Sequence, residues 1–198
     1  NVMHFEKPAP GIDDYNADLR ETLGISKDQL LFLQPTRVVQ RKGIEHAIEL
    51  ISRLEMDAVL VITHASGDEG YEYERRLRTY ADMMKVPTIF ASNRFDEKRS
   101  RSPDGQKVYS LWDAYPHADL VTYPSLIEGF GNAFLEAIYF KKPIVVNNYT
   151  IYNIDIRTKG FKVIEFDDFI TQETVETTRR ILNNPGEVVR MTDHNYGV

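Results

Sequence analysis

The sequence predicts an α/β domain built on a doubly wound, mostly parallel sheet of about six strands. Three observations carry that reading. Short β-rich runs recur along the chain, each followed by a turn and then a helical pattern. Most of these runs are continuously apolar rather than alternating, as expected of strands covered on both faces. Between them, apolar residues recur at helical spacing, which gives strand–helix alternation with right-handed crossovers.

The elements follow in order. Residues 1–12 include Pro8, Pro10 and Gly11 and read as a connector, followed by a small helix ending at Gly24. The first strand is Leu30–Gln34. A helix over Ile44–Leu54 comes next, with Ile44, Ala47, Ile48, Ile51 and Leu54 on one stripe. A strand at 58–63 and a helix at 69–84 follow, then a strand at 88–91. The polar, charged stretch 95–108 reads as an exposed loop, with the Arg99-to-Arg101 charges solvated. A short helix at 111–115 precedes the fourth strand at 119–122, and a helix at 129–140 leads to the fifth, Ile144–Asn147. The sixth strand, 162–165, and a helix over Gln172–Leu182 complete the pattern. No internal repeat or low-complexity tract interrupts it.

Composition narrows the function classes. At 198 residues with 42% hydrophobic content the chain can bury one substantial core, so one domain spans 1–198. Without cysteine it has no disulfide framework and no thiolate metal site, and its five histidines are scattered without ligand spacing. The net charge of −6 argues against wholesale binding to nucleic acid or an anionic membrane. No apolar run approaches the roughly 20 residues that span a bilayer, and the first residues lack a signal-peptide core, so a cytoplasmic domain is expected. A start at Asn1 suggests a processed chain or a piece of a longer protein.

The most informative run is Glu128-Gly-Phe-Gly-Asn-Ala-Phe-Leu-Glu136. Across a helix, such a spacing rotates about 80° net and rises about 12 Å, so both carboxylates lie broadly on one side. Gly129 and Gly131 permit close backbone approach, and free N–H groups at the helix start favour an anion. Hydroxyl-binding acids at both ends, with bare amides near the first, suit a nucleotide sugar: ribose, diphosphate, hexose. Glu128 could simply stabilise the helix dipole. That does not explain Glu136, an acid among Ala133, Phe134, Leu135, Ala137 and Ile138; if buried, it requires a partner, either a ribose diol or a core arginine. After the first strand, Arg37, Arg41 and Lys42 bring three cations into a helix start. Alone, that stretch reads as surface solvation. Its place after strand one, opposite the loop of strand four, turns the reading toward a phosphate, because ligands gather where strand order reverses.

Arg37 and Lys42, then Tyr123-Pro-Ser, Glu128-Gly-Phe-Gly, Glu136-Ala and Pro143-Ile-Val-Val together resemble the donor-binding, C-terminal half of retaining GT-B glycosyltransferases, family 4, the "glycosyl transferases group 1". The resemblance runs from about residue 30 to the end. It implies a Rossmann-like fold, one half of a GT-B enzyme, with an acceptor-binding N-terminal domain absent and residues 1–12 as the interdomain connector. It also implies that Arg37 and Lys42 neutralise the donor diphosphate and that Gly129, Phe130, Gly131 and Asn132 hold it at the helix entrance. Glu128 would bind the hexose and Glu136 the ribose, with the segment from Ser92 to Arg94 bordering the base. No metal or cofactor is implied, because cationic side chains and the helix start serve in place of magnesium.

Three positions depart from the family pattern: Thr36 and Lys142 stand where glycine or a small residue is usual, and Asn147 to Ile154 replaces a glycine-containing loop. Tyr149 and Tyr152 in that loop read either as core packing or as a face toward the absent domain. The resulting expectation is a hexosyltransferase whose donor-binding fragment is inactive alone. Its partners would be the nucleotide-sugar donor and the acceptor domain, without nucleic acid, and any peripheral membrane contact would be made through that domain. A sugar-nucleotide epimerase half and a non-catalytic nucleotide-binding scaffold are the alternatives.

Overall fold

The computed structural model describes residues 3–129 and 131–198. Six parallel strands form the main sheet: β1 (Leu30–Gln34), β2 (Ala58–Ile62), β3 (Thr88–Phe90), and, after three short strands, β7 (Leu120–Tyr123), β8 (Ile144–Asn147) and β9 (Ile164–Phe166). Their order is β3-β2-β1-β7-β8-β9. The chain therefore winds outward from β1 on one side, then returns to wind outward from β7 on the other. The reversal lies between β1 and β7, and their C-terminal loops open a crevice there.

The continuous apolar strands are explained by two cores. Leu31, Leu33, Val59, Val61, Val121, Tyr123, Ile144 and Val146 face one layer, while Phe32, Leu60, Ile62, Leu120, Val145 and Ile164 face the other. Successive residues point to opposite faces, so a strand covered twice has no polar positions to alternate with. Helices α1 (Leu19–Thr22) and α4 (Asn132–Tyr139) contribute to the first layer. The second takes α2 (Ile44–Leu54), α3 (Glu72–Met84), α5 (Gln172–Leu182) and α6 (Pro185–Tyr196).

Four expectations are corrected. The stretch 95–108 is not an open loop: β4 (Phe95–Asp96), β5 (Ser100–Arg101) and β6 (Lys107–Ser110) form a three-stranded sheet of order β4-β6-β5. Arg99 is not a solvated charge, because it ion-pairs with Asp13 at 2.7 Å and Asp113 at 2.6 Å and lies 4.7 Å from the centre of the Tyr15 ring. The helix expected at 111–115 is two 3₁₀ turns, Leu111–Asp113 and Tyr115–His117, with Pro116 inside the second. Helix α6 was not anticipated, although its start carries a recognisable signal: the Asn184 side chain accepts from the Glu187 N–H, and Pro185 follows it. Other boundaries shift by up to three residues, with α3 beginning at Glu72 and α4 at Asn132. Among the described residues, no helix is long and apolar enough to cross a membrane.

Candidate functional site

Side chains at the strand ends bind the crevice loops to one another. The Thr122 hydroxyl donates to Gln34 Oε1 (2.6 Å), and the Gln34 amide donates to the Thr36 hydroxyl (2.8 Å), all three residues being buried. Thr36 thus uses its hydroxyl where the related pattern has glycine. Two further bonds join neighbouring loops, Leu126 N–H to the Arg41 carbonyl (2.8 Å) and Asn147 Nδ2 to the Ser125 carbonyl (3.3 Å). Gly43, between a 3₁₀ turn over Gln40–Lys42 and α2, has φ 59°, and a Cβ there would stand 2.5 Å from the Pro124 carbonyl oxygen. Only glycine allows the β1 and β7 loops to approach this closely.

This frame brings the basic turn onto the acidic loop. Three donors converge on Glu128 Oε1: Lys42 Nζ, Arg41 Nη1 at 3.3 Å and Ser125 Oγ at 3.0 Å. Lys42 is buried, and its ammonium is held below the usual lysine range. Burial is the largest cause, and the Arg41 and Arg37 charges act in the same direction, while Glu128 partly offsets them. Arg37 is exposed and lies along Gly67, where an added Cβ would be 3.5 Å from its Nη1. His64, two residues beyond β2, also adjoins this cationic cluster and was not singled out in the sequence. Its Nδ1 pairs with Thr63 Oγ1 (2.9 Å), and burial, followed by the Lys42 and Arg37 charges, holds its pKa below the ordinary histidine value. The available signal was an imidazole directly after an apolar parallel strand.

At the start of α4, Gly131 has φ 80°, and a Cβ there would fall 2.1 Å from the Tyr123 hydroxyl oxygen. Gly129 is exposed with open space beside it, and Asn132 is the first residue of α4. The expectation for Phe130 lies outside the described residues. One turn further, Glu136 is held within the chain by two aromatic donors, not by the core arginine that was one of its two expected partners. Trp112 Nε1 donates to Oε1 at 3.1 Å, and the Tyr115 hydroxyl donates to Oε2 at 2.6 Å.

Arg94 closes a 3₁₀ turn, Ser92–Arg94, beyond β3. That is two strands from β1, about 10 Å along the same rim. Its side chain turns to Gln106, in the turn between β5 and β6, which leaves the backbone of the 3₁₀ turn at the rim. Tyr149 and Tyr152 do not form an exposed face. Tyr149 is 3% exposed and Tyr152 fully buried, in a ladder with Tyr123 at ring distances of 6.2 and 5.9 Å. Tyr152 donates to Glu165 (2.6 Å), whereas the buried Tyr149 hydroxyl has no partner among the described residues. Among the described residues, the exposed apolar side chains of this rim are instead Leu126, Ile127 and Phe169, in the loops after β7 and β9, and Ile154, in the helical turn Tyr152–Ile156 that stands where a loop was expected after β8. Among the described residues, no group of three His, Cys, Asp or Glu side chains gathers as a metal site would. A separate cavity of about 640 Å³, lined by Phe5, Tyr139, Lys142 and Tyr196 among others, lies at the opposite end of α4.

Comparison with known proteins agrees with this architecture. The family model described as "Glycosyl transferases group 1" matches residues 16–196. A mannosylglucosylglycerate synthase of Petrotoga mobilis is 36% identical over 183 residues, covering 83% of this chain and 42% of its own length. A protein of the same name from Thermotoga maritima is 30% identical over 229 residues, covering 100% of this chain and 51% of its own. This chain thus spans about half the length of the curated relatives it matches. Among solved structures, Anabaena HepE in complex with UDP-glucose superposes with a TM-score of 0.72 at 14% identity, over 94% of this chain and 48% of that one. The C-terminal domain of a group 1 glycosyl transferase from Francisella tularensis gives 0.65 at 14% identity, over 99% and 95%.

Proposed function

The chain belongs to the glycosyl transferases group 1 family, and from that premise we propose that it holds the nucleotide-sugar donor of a retaining hexosyltransferase. The carrying observation is the meeting of the Arg37-to-Lys42 turn with the Glu128 loop at the reversal of strand order. Arg41 and Lys42 both pair with that one carboxylate and the Arg37 charge acts on Lys42, so positive charge is in excess locally in a chain whose net charge is −6. A diphosphate is the ligand that such an excess suits.

In this reading, Arg37 and Lys42 neutralise the diphosphate and stabilise the charge that grows on it as it leaves, an electrostatic role. The open backbone at Gly129, the left-handed turn at Gly131 and the first amides of α4, at Asn132, receive its oxygens. Glu128 takes hexose hydroxyls, Glu136 the ribose, and the turn ending at Arg94 borders the base through its backbone. The guanidinium and ammonium groups make a divalent ion unnecessary for binding. UDP-glucose in the HepE structure supports a ligand of this class on this fold. The names of the relatives point to a mannosylglucosylglycerate-type glycoside as the product of the whole protein. Acceptor recognition is assigned to the part of those relatives that this chain does not match, and transfer requires it, because a donor without an oriented nucleophile gains little rate.

Calorimetric titration of the 198-residue chain with UDP, GDP, ADP and their hexose-bearing forms tests the reading. Weak binding of one base series is expected in the presence of a chelator. No binding at millimolar ligand, with or without magnesium, removes the donor site; binding only with magnesium overturns the metal-free part.

Glu128→Gln separates the two ends of the ligand. Because Glu128 occupies Lys42 in the free chain, the amide should spare or strengthen a free nucleoside diphosphate while weakening the hexose-bearing donor. Equal loss for both ligands would contradict the role given to Glu128.

A further inference from the structure

Glu136 is held by two donors, one on each oxygen. Trp112 Nε1 reaches Oε1 at 3.1 Å, and the Tyr115 hydroxyl reaches Oε2 at 2.6 Å, the short distance typical of a charge-assisted O–H···O⁻ bond. An ionised carboxylate accepts about two hydrogen bonds per oxygen, so each oxygen keeps capacity for one more. Neither donor is free to swing away. Tyr115 is fully buried and stacks on Phe140 with centroids 4.7 Å apart and planes 11° apart. Trp112 packs edge-on against Phe140 at 5.6 Å and against Tyr139 at 5.7 Å. Both aromatic donors come from the segment before β7, whereas Glu136 comes from the helix after it, so the cluster locks the two to each other.

A carboxylate fixed in this way, with one acceptor site remaining on each oxygen, is complementary to two adjacent hydroxyls. We infer that Trp112 and Tyr115 are positioning residues that present Glu136 to the 2′- and 3′-hydroxyls of a ribose, and that this cluster sets a preference for ribonucleotide over 2′-deoxyribonucleotide ligands. The inference rests on the donor-site reading above. A carboxylate that was merely satisfied by two core donors would have no influence on which sugar the ligand carries.

The test is a ratio of affinities. The ribonucleoside diphosphate that the chain binds and its 2′-deoxy counterpart are titrated calorimetrically into the unaltered chain, Tyr115→Phe, Trp112→Phe and Glu136→Ala. Tyr115→Phe keeps the stack on Phe140 and Trp112→Phe keeps an aromatic ring, and thermal melting checks that each variant is folded. Should one fail to fold, the other decides. The unaltered chain is expected to favour the ribose form by about tenfold or more, the worth of a hydrogen bond to a charged acceptor. In Tyr115→Phe and Trp112→Phe the ratio should fall toward that of Glu136→Ala, because the ribose form loses the contacts of two hydroxyls and the deoxy form, which keeps its 3′-hydroxyl, loses the contact of one. Ribose preference absent from the unaltered chain, or unchanged in a folded variant, overturns the inference and leaves the donor site standing. If neither ligand binds, the donor site itself is lost and the inference falls with it.

Discussion

Lys42→Ala is expected to weaken binding of a nucleoside diphosphate by about 1.5–3 kcal/mol, roughly 10- to 150-fold. Arg37→Ala should cost less at ordinary salt. Lys42 is 8% exposed, so its charge acts through a medium less polarisable than water, and Arg41 and Arg37 flank it. Arg37 is exposed, and its contribution is screened as salt rises. The two variants should therefore differ in salt dependence as well as in size: titration at low and high ionic strength should show Arg37→Ala converging on the unaltered chain and Lys42→Ala remaining weak. Lys42 also satisfies Glu128, whose side chain is 10% exposed, and removing it leaves that carboxylate to Arg41 and Ser125. Some loss of stability should accompany the loss of affinity. Lys42→Ala binding like the unaltered chain would mean that the diphosphate does not sit at this turn.

What the sequence made legible follows from the range of the physics. Strand positions showed because Leu30–Gln34 and Ala58–Ile62 are buried on both faces, which leaves a local mark in every residue. The Glu128-to-Glu136 run showed because its spacing, glycines and apolar context lie within nine consecutive residues. The partners of those acids did not show. Trp112 and Tyr115 lie 24 and 21 residues from Glu136, and nothing local distinguishes them from other core residues; Lys42 showed as a cation at a helix start but not as the partner of Glu128, 86 residues away. The same reason hid the Arg99 contacts, since Asp13 is 86 residues away. A charged stretch without periodicity reads as solvated until its counter-charges are placed. Tyr149 and Tyr152 were open to two readings because a tyrosine carries both an apolar body and a polar tip, and burial chose the first.

Asp113→Ala should be the most destabilising single change outside the apolar core, by about 2–4 kcal/mol, discounted from the cost of breaking a fully buried pair because the Arg99 side chain is partly exposed. Asp113 is 4% exposed and joins three segments. Arg99 Nε reaches both of its oxygens (3.2 and 3.0 Å), Asn16 Nδ2 donates at 2.9 Å, and the Ser110 N–H donates at 2.8 Å. Without the carboxylate, the three-stranded sheet loses its buried tie to the segment around Asn16, and Arg99 keeps the exposed Asp13 and the Tyr15 ring. The same group predicts an acid limb. Burial alone would raise the Asp113 pKa, but Arg99, Asn16 and the Ser110 N–H more than offset it and hold the folded-state value below the ordinary one. Its stabilising contribution is therefore complete above the unfolded carboxylate pKa, near 4, and is lost as pH falls through the lower folded-state value. Urea unfolding from pH 7 downward should show the unaltered chain losing stability through that window and Asp113→Asn, weaker at neutral pH, losing less. Parallel acid limbs for the two proteins, or a loss below about 0.5 kcal/mol in Asp113→Ala, the range of an ordinary surface change, would show that the sheet is held by its other contacts. Those contacts are the Lys107–Asp18 ion pair and the bonds of the Tyr15 hydroxyl to the Ser100 and Val108 carbonyls.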